Sequence, residues 1–207
     1  MEDILEVYQR VYAEHEVLVC MDETSKQQVR ETRIPLAPES GNLEKYDYEY
    51  ERNGVSNLFM LFAPLEGWRH VKVTDRHTKI EWANLIKELV DEHYPDKKII
   101  LVMDNLNTHK LGSLYEAFAP EEARRIAERL EIHYTPKHGS WLDMAEIEIG
   151  VMNRQCLNRR IPDQDTLRTE LKAWQEQRNH KAVRVNWRFT TEDARIKLKS
   201  LYPSILS

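Results

Sequence analysis

Two short runs of apolar residues, at 17–21 and 99–103, constrain the fold of this chain more than any other feature. They read VLVCM and IILVM, and each is followed directly by an aspartate, Asp22 or Asp104. Short runs without polar interruption are typical of strands buried on both faces, as in parallel sheets covered by helices. We therefore expect both runs to lie inside one sheet.

The segments around these two strands predict a mixed sheet flanked by helices. A hairpin is indicated where the stretches at 57–64 and 68–74 are joined by Leu65-Glu66-Gly67. Apolar spacing or start signals predict helices at 79–93, 111–118, 120–130, 142–158, 163–178 and 190–200, and a short strand at 131–136. The predicted fold class is α/β, with a central sheet of three antiparallel strands followed by two parallel strands.

The chain of 207 residues is short enough to form one domain, which we expect to span 1–207. Its one shift to a loop-like composition is PLAPESGNLEKYDYEYERNG, so residues 35–54 are predicted to form an insertion or flap. The last helix is expected to begin at Thr190, because Asp193 three residues later completes a capping-box pattern.

Composition indicates a soluble, cytoplasmic protein. Hydrophobic residues make up 41% of the chain and charged residues 31%, which favours neither disorder nor a membrane span. The amino terminus carries acids where a secretory signal would carry lysines, so we expect no membrane association. The net charge of −5 hides an asymmetry, because residues 137–207 contain 13 Lys and Arg against 9 Asp and Glu, a net charge of +4. A surface that faces DNA phosphates is therefore expected in the C-terminal third.

The two aspartates that follow the buried runs are the first candidate site. If the two strands are parallel neighbours, Asp22 and Asp104 meet at their carboxyl ends, where open α/β sheets bind ligands. Two close carboxylates repel each other, and a hard divalent cation such as Mg²⁺ relieves the repulsion. A single aspartate at such a place is more often a turn or helix cap, but the matching pair favours a metal site.

A third carboxylate is expected from the predicted helix at 142–158, which offers Glu146, Asp143 and Glu148. Glu146 and Glu148 point in nearly opposite directions, because two residues correspond to about 200° around a helix. Gly150, one turn after Glu146, leaves room for a ligand and makes Glu146 the preferred candidate. Asp143 and Glu148 remain alternative acids.

The loop TPKHGSW at 135–141 precedes this helix and carries donors for phosphate groups. Lys137, His138 and Ser140 are the candidate DNA contacts there, and Arg154 is a further one. An ordinary surface loop is an equally good interpretation. A zinc site formed by His133 and His138 is not favoured, because no cysteine pair accompanies them.

Five segments together resemble one family: MDET (21–24), YDYEYERNG (46–54), GWRHVKVT (67–74), MDNLNTHK (103–110) and YTPKHGSWLDMAEIEIG (134–150). They look like the DDE transposase domain of the insertion sequence 630 family, bacterial relatives of mariner-type elements. The resemblance implies an RNase H-like fold, with Asp22, Asp104 and Glu146 as catalytic and metal-binding acids. Asp143 departs from the family, which usually has asparagine before that glutamate.

The family further implies that two Mg²⁺ ions, or Mn²⁺ in their place, support DNA cleavage at transposon ends and transfer of the 3′-hydroxyl into target DNA. Expected partners are transposon-end and target DNA, a second copy of the chain, and a separately encoded helix-turn-helix subunit, because no helix-turn-helix domain is recognised in residues 1–207. Two alternatives stay open: a stand-alone RNase H-like nuclease, and a non-catalytic DNA-binding relic of a transposase.

Overall fold

The computed structural model describes residues 1–32, 49–137 and 139–202. Its strands are β1 (Glu16–Glu31), β2 (Tyr50–Ala63), β3 (Trp68–Thr74), β4 (Lys98–Met103) and β5 (Leu130–Tyr134). They form one sheet in the order β3-β2-β1-β4-β5. The β1–β2 and β2–β3 pairs are antiparallel, whereas β4 is parallel to both β1 and β5. The predicted mixed sheet of three antiparallel and two parallel strands is confirmed.

Helices cover both faces of the sheet. They are α1 (Glu2–Gln9), α2 (Lys79–Glu88), α3 (Leu111–Ala117), α4 (Pro120–Glu128), α5 (Met144–Gln155), α6 (Gln164–His180) and α7 (Thr191–Lys197). A π-helical turn, Leu89–His93, continues α2, and two 3₁₀ turns lie at Ser140–Leu142 and Lys199–Leu201. The helix α1 had no counterpart in the sequence analysis. Within the described ranges, no helix combines the length and apolar character that a bilayer crossing requires.

The alternation of side chains along β1 divides the core into two layers. Leu18 and Cys20 point to the side of α1, α5 and α6, whereas Val17, Val19 and Met21 point to the side of α2, α3 and α4. Both layers contain fully buried residues from β4, which explains why neither apolar run is interrupted by polar residues. The face toward α5 is the one that carries the candidate site.

The expectation that the first strand ends at Asp22 is wrong, because β1 continues to Glu31. Residues 16–21 pair with β4, whereas pairing with β2 begins at Cys20 and continues to Glu31, beyond the end of the β4 ladder. The apolar run therefore marks only the part of β1 that pairs with β4. Polar residues are tolerated in the rest of the strand because fewer elements cover it.

The predicted flap at 35–54 is only partly testable, since residues 33–48 lie outside the described residues. Within its last part, Tyr50–Gly54 belong to β2, whose residues 50–52 pair with residues 29–31 of β1. The pairing changes register between Gln27 and Val29, and Gly54 adopts a φ of +100° next to Gln28. Glycine suits such a bulge because it tolerates positive φ at little cost.

Candidate active site

The parallel register of β1 and β4 brings the two aspartates to neighbouring positions. Met21 pairs with Met103, so Asp22 and Asp104 are the next residues along adjacent parallel strands. Asp22 also lies opposite Met60 of β2, whose side chain belongs to the core layer beneath α5. Residues directly opposite in a sheet share a face. Asp22 is therefore directed toward the α5 side of the sheet.

The helix α5 brings a third acid to the same place. It packs on β1 and β2, and Glu146 lies exposed in its first turn. The negative charges of Asp104 and Glu146 both act on the carboxyl group of Asp22. The three acids that the sequence analysis selected thus come together from two strands and one helix.

The local environment disfavours the charged form of Asp22. Burial raises the pKa of Asp22 to about 6, and repulsion from Asp104 and Glu146 acts in the same direction. The backbone N–H of Glu23 opposes this effect by donating to Oδ1 of Asp22 at 2.8 Å. A group of carboxylates held together in this way is stabilised by a bound cation.

Asp143 is a fourth carboxylate in this group. It is not inside the helix, as the predicted span of 142–158 implies, but caps α5: its Oδ1 accepts from the N–H of Ala145 at 2.8 Å. Asp143 is 2% exposed, and its Oδ2 has no hydrogen-bond partner among the described residues. Burial, with repulsion from Asp22, holds its pKa well above the usual range.

Glu148 lies in a different environment from Glu146, although only one residue separates them. Its side chain is buried against β3 and α6, where Oε1 is 2.9 Å from Nε of Arg69 and 2.7 Å from Nε of Arg178. Arg178 donates a second hydrogen bond to Oε2 at 3.1 Å. The two arginines neutralise the negative charge of Glu148 and hold its carboxylate away from the other acids.

His109 is a member of the site that sequence reasoning missed. It is 0% exposed, and its Nδ1 lies 2.5 Å from Oδ1 of Asp104 while its Nε2 lies 3.5 Å from Oε2 of Glu23. Its ring stacks near Trp82, with centroids 6.1 Å apart. Burial alone would lower the pKa of His109, but the hydrogen bond to Asp104 and the nearby carboxylate of Glu23 raise it to about 9. The available signal was its position five residues after Asp104 in MDNLNTHK.

Two of the candidate DNA contacts lie beside the acids. Lys137 and Ser140 are exposed and line a groove of about 570 Å³ together with Asp104. His138 lies outside the described residues. Phosphate groups in this groove would meet a cation and a hydroxyl donor next to the acids.

Arg154 is separated from this groove. It lines a cavity of about 600 Å³ formed by α5, α6 and the segment between them, together with Arg159 and Trp174. The predicted DNA contacts therefore belong to two surfaces.

The arrangement matches a known family over most of the chain. The family model described as DDE superfamily endonuclease matches residues 17–168, which include Asp22, Asp104 and Glu146. The chain belongs to the DDE superfamily endonucleases. No curated protein matches it.

Solved structures of the Mos1 mariner transposase share the fold of this DDE superfamily endonuclease. The Mos1 paired-end complex with Mn superposes with a TM-score of 0.57 at 15% identity, covering 88% of this chain and 55% of that one. The Mos1 strand transfer complex gives 0.58 at 13% identity, covering 88% and 58%. The paired-end complex with Mg gives 0.56 at 14% identity, covering 98% and 62%. The expected RNase H-like fold is confirmed, and the chain spans less than two thirds of these transposase chains.

Proposed function

We propose that this DDE superfamily endonuclease is the catalytic part of a transposase of the insertion sequence 630 family. Its activity would be metal-dependent cleavage of DNA at transposon ends, followed by transfer of the 3′-hydroxyl into target DNA. The observation that carries the proposal is the convergence of Asp22, Asp104 and Glu146 in a chain of this family. The shared fold with the Mos1 strand transfer complex supports it.

The residues present fit divalent metal ions. The donors are carboxylate oxygens, which Mg²⁺ and Mn²⁺ prefer. Burial disfavours the charged carboxylate of Asp22, and a bound cation would stabilise that charge. Asp143 adds a buried oxygen without a partner among the described residues. We propose that Asp22, Asp104 and Glu146 hold two ions. Bound metal would supply activation of the attacking oxygen and stabilisation of the leaving oxygen.

The neighbouring residues would prepare the acids and place the substrate. The imidazole of His109 fixes the carboxylate of Asp104 through the contact at 2.5 Å. Such a contact limits the rotamers of a ligand before metal binds. Lys137 and Ser140 would position the DNA backbone in the groove beside Asp104 by contacts to phosphate oxygens.

The proposed partners are transposon-end DNA, target DNA and a second copy of the chain. The Mos1 structures are named as paired-end and strand transfer complexes, which supports DNA of both kinds as substrates. We propose that a separately encoded helix-turn-helix subunit supplies end recognition. The place of action would be the cytoplasm, on the nucleoid.

The test is a two-step assay with the purified chain. Incubation of supercoiled plasmid with Mn²⁺ or Mg²⁺ should give nicked product, and Asp104→Asn should abolish it, whereas Glu128→Gln on the exposed surface of α4 should not. A labelled oligonucleotide with a free 3′-hydroxyl should then become joined to plasmid. Nicking without joining would favour the RNase H-like nuclease, and neither product would favour the DNA-binding relic.

A further inference from the structure

Three potential metal ligands, His70, Glu88 and His93, lie together on the opposite face of the sheet from the DDE acids. His70 on β3 pairs with Leu61, whose side chain belongs to the core layer under α2. Asp22 is directed toward α5, on the other face. The cluster is therefore separate from the proposed catalytic site.

The donor atoms of the cluster converge. Nε2 of His70 lies 3.1 Å from Oε1 of Glu88, Nε2 of His93 lies 3.6 Å from the same oxygen, and all three atoms lie within 4.8 Å of one another. Both nitrogens are buried and have no hydrogen-bond partner in the part of the chain that the structure describes. The other oxygen of Glu88 accepts from Lys72 at 2.5 Å, which leaves Oε1 directed at the two imidazoles.

The π-helical turn at the end of α2 accounts for this convergence. Glu88 and His93 are five residues apart, which in a regular α-helix would separate them by about 140° around the axis. The turn Leu89–His93 is instead closed by an i→i+5 hydrogen bond from the N–H of Tyr94 to the carbonyl of Leu89, at 3.0 Å. This wider turn brings residues five apart onto one side. Single π-turns inside helices are frequent at functional sites.

The surroundings of His70 favour its neutral imidazole. Burial, which outweighs the attraction of Glu88, lowers the pKa of His70, and neutral imidazole is the form that binds metals. The ring of Trp68 packs on His93 with centroids 4.8 Å apart and covers one side of the cluster. The three side chains remain 16% to 24% exposed, so an ion can reach them from solvent.

We propose that His70, Glu88 and His93 bind one Zn²⁺ ion, with water in the fourth position. Two imidazoles and one carboxylate are a known zinc ligand set, whereas Mg²⁺ prefers oxygen ligands only. Tetrahedral zinc with donors at about 2.1 Å holds them about 3.4 Å apart, close to the two observed separations of 3.1 and 3.6 Å. The ion would clamp the edge strand β3 to the end of α2.

The test is calorimetric titration of the chelator-stripped full chain with Zn²⁺ in excess Mg²⁺, which occupies all-oxygen sites. One Zn²⁺ should bind per chain, and His70→Gln and His93→Gln should each weaken binding by about 100-fold or more. The control His77→Gln, on the loop before α2, should bind as the wild type does. Asp22→Asn should also leave zinc affinity unchanged. Visible absorption of bound Co²⁺ should report tetrahedral coordination in the wild type and in both controls, but not in the two histidine variants.

Thermal unfolding keeps the test decisive if a variant folds poorly. Zn²⁺ should raise the Tm of the wild type and of Asp22→Asn, but not that of His93→Gln, whose Tm without zinc serves as its own reference. Equal zinc affinity in the wild type and both histidine variants would overturn the proposal, and so would loss of binding in Asp22→Asn. Because the readout is binding and not cleavage, its failure leaves the proposed transposase function untouched.

Discussion

The imidazole of His109 lies 2.5 Å from the carboxylate of Asp104, with Nδ1 facing Oδ1, and is completely buried. Asp104 is the first residue of the loop that follows β4, and His109 lies further along the same loop. A carboxylate held in one rotamer by a buried partner is prepared for metal binding, whereas a free one must be ordered each time. His109 is therefore a positioning residue for the proposed reaction.

We expect His109→Ala to lower the rate of plasmid nicking by about 10- to 100-fold, the usual cost of losing a partner of a metal ligand. His109→Asn should recover part of the rate, because its amide can still donate to Asp104. The Mg²⁺ concentration for half-maximal rate should rise in His109→Ala. Equal rates in the alanine and asparagine variants, at equal Tm, would argue for a role in packing alone.

Cleavage should depend on pH through Asp22, whose pKa burial raises from 3.8 to about 6. Metal binding requires the deprotonated carboxylate, so at subsaturating Mg²⁺ the rate should rise as pH increases through about 6. Higher Mg²⁺ should move the midpoint to lower pH, because metal and proton compete. A midpoint that stays constant across Mg²⁺ concentrations would contradict this assignment.

The raised pKa of Asp22 has the opposite effect on the stability of the metal-free protein, which should fall as pH rises. The folded state holds the Asp22 proton more tightly than the unfolded state, so this contribution is fully present below 3.8 and is lost as pH rises through about 6. In urea unfolding without metal, wild-type stability should therefore fall over this interval more than that of Asp22→Asn. If the free energy of unfolding changed with pH in parallel for the two proteins, Asp22 would not be the cause of the pH dependence.

DNA binding should be weak and salt-sensitive, because the excess of Lys and Arg over Asp and Glu is confined to residues 137–207 while the chain as a whole has a net charge of −5. Lys137→Ala should lower the slope of log affinity against log salt by about 1, the contribution of one phosphate contact. Arg154→Ala tests the cavity between α5 and α6 in the same way, and Lys181→Ala on an exposed turn is the control. An unchanged slope in Arg154→Ala would restrict the DNA surface to the groove beside Asp104.

Features that depend on neighbouring residues in the sequence could be predicted. The apolar runs that end at Met21 and Met103 identified the central parallel strands, because residues buried on both faces must be apolar at every position. The helix start at Thr190 with Asp193 is confirmed, since a capping box needs only residues three apart.

Features that depend on packing between distant parts of the chain could not be predicted from the sequence. The predicted helix at 79–93 has continuous apolar spacing, which conceals the change to a π-turn at Leu89. The cluster around Glu88 exists only because β3 lies beside that turn. In the same way, nothing in the sequence near Glu148 on α5 indicates that Arg69, from strand β3, lies against it.

Asp143 tests whether the fourth acid is a ligand. We expect Asp143→Asn to fold normally and to cleave DNA, because asparagine is as good a helix cap as aspartate and can still accept from the N–H of Ala145. Titration with Mg²⁺ is the measurement, and a marked loss of affinity would make Asp143 a metal ligand.

Glu146→Gln and Glu148→Gln should fail in different ways, because the two side chains face different surroundings. Glu146 is exposed beside Asp22, so its amide variant should keep wild-type stability in urea and lose plasmid nicking. Glu148 neutralises Arg69 and Arg178 in a buried site, and removing its charge should cost about 3 to 5 kcal/mol of unfolding free energy. At a temperature where Glu148→Gln remains folded, its nicking should persist. Loss of nicking in fully folded Glu148→Gln, with activity kept in Glu146→Gln, would exchange their roles.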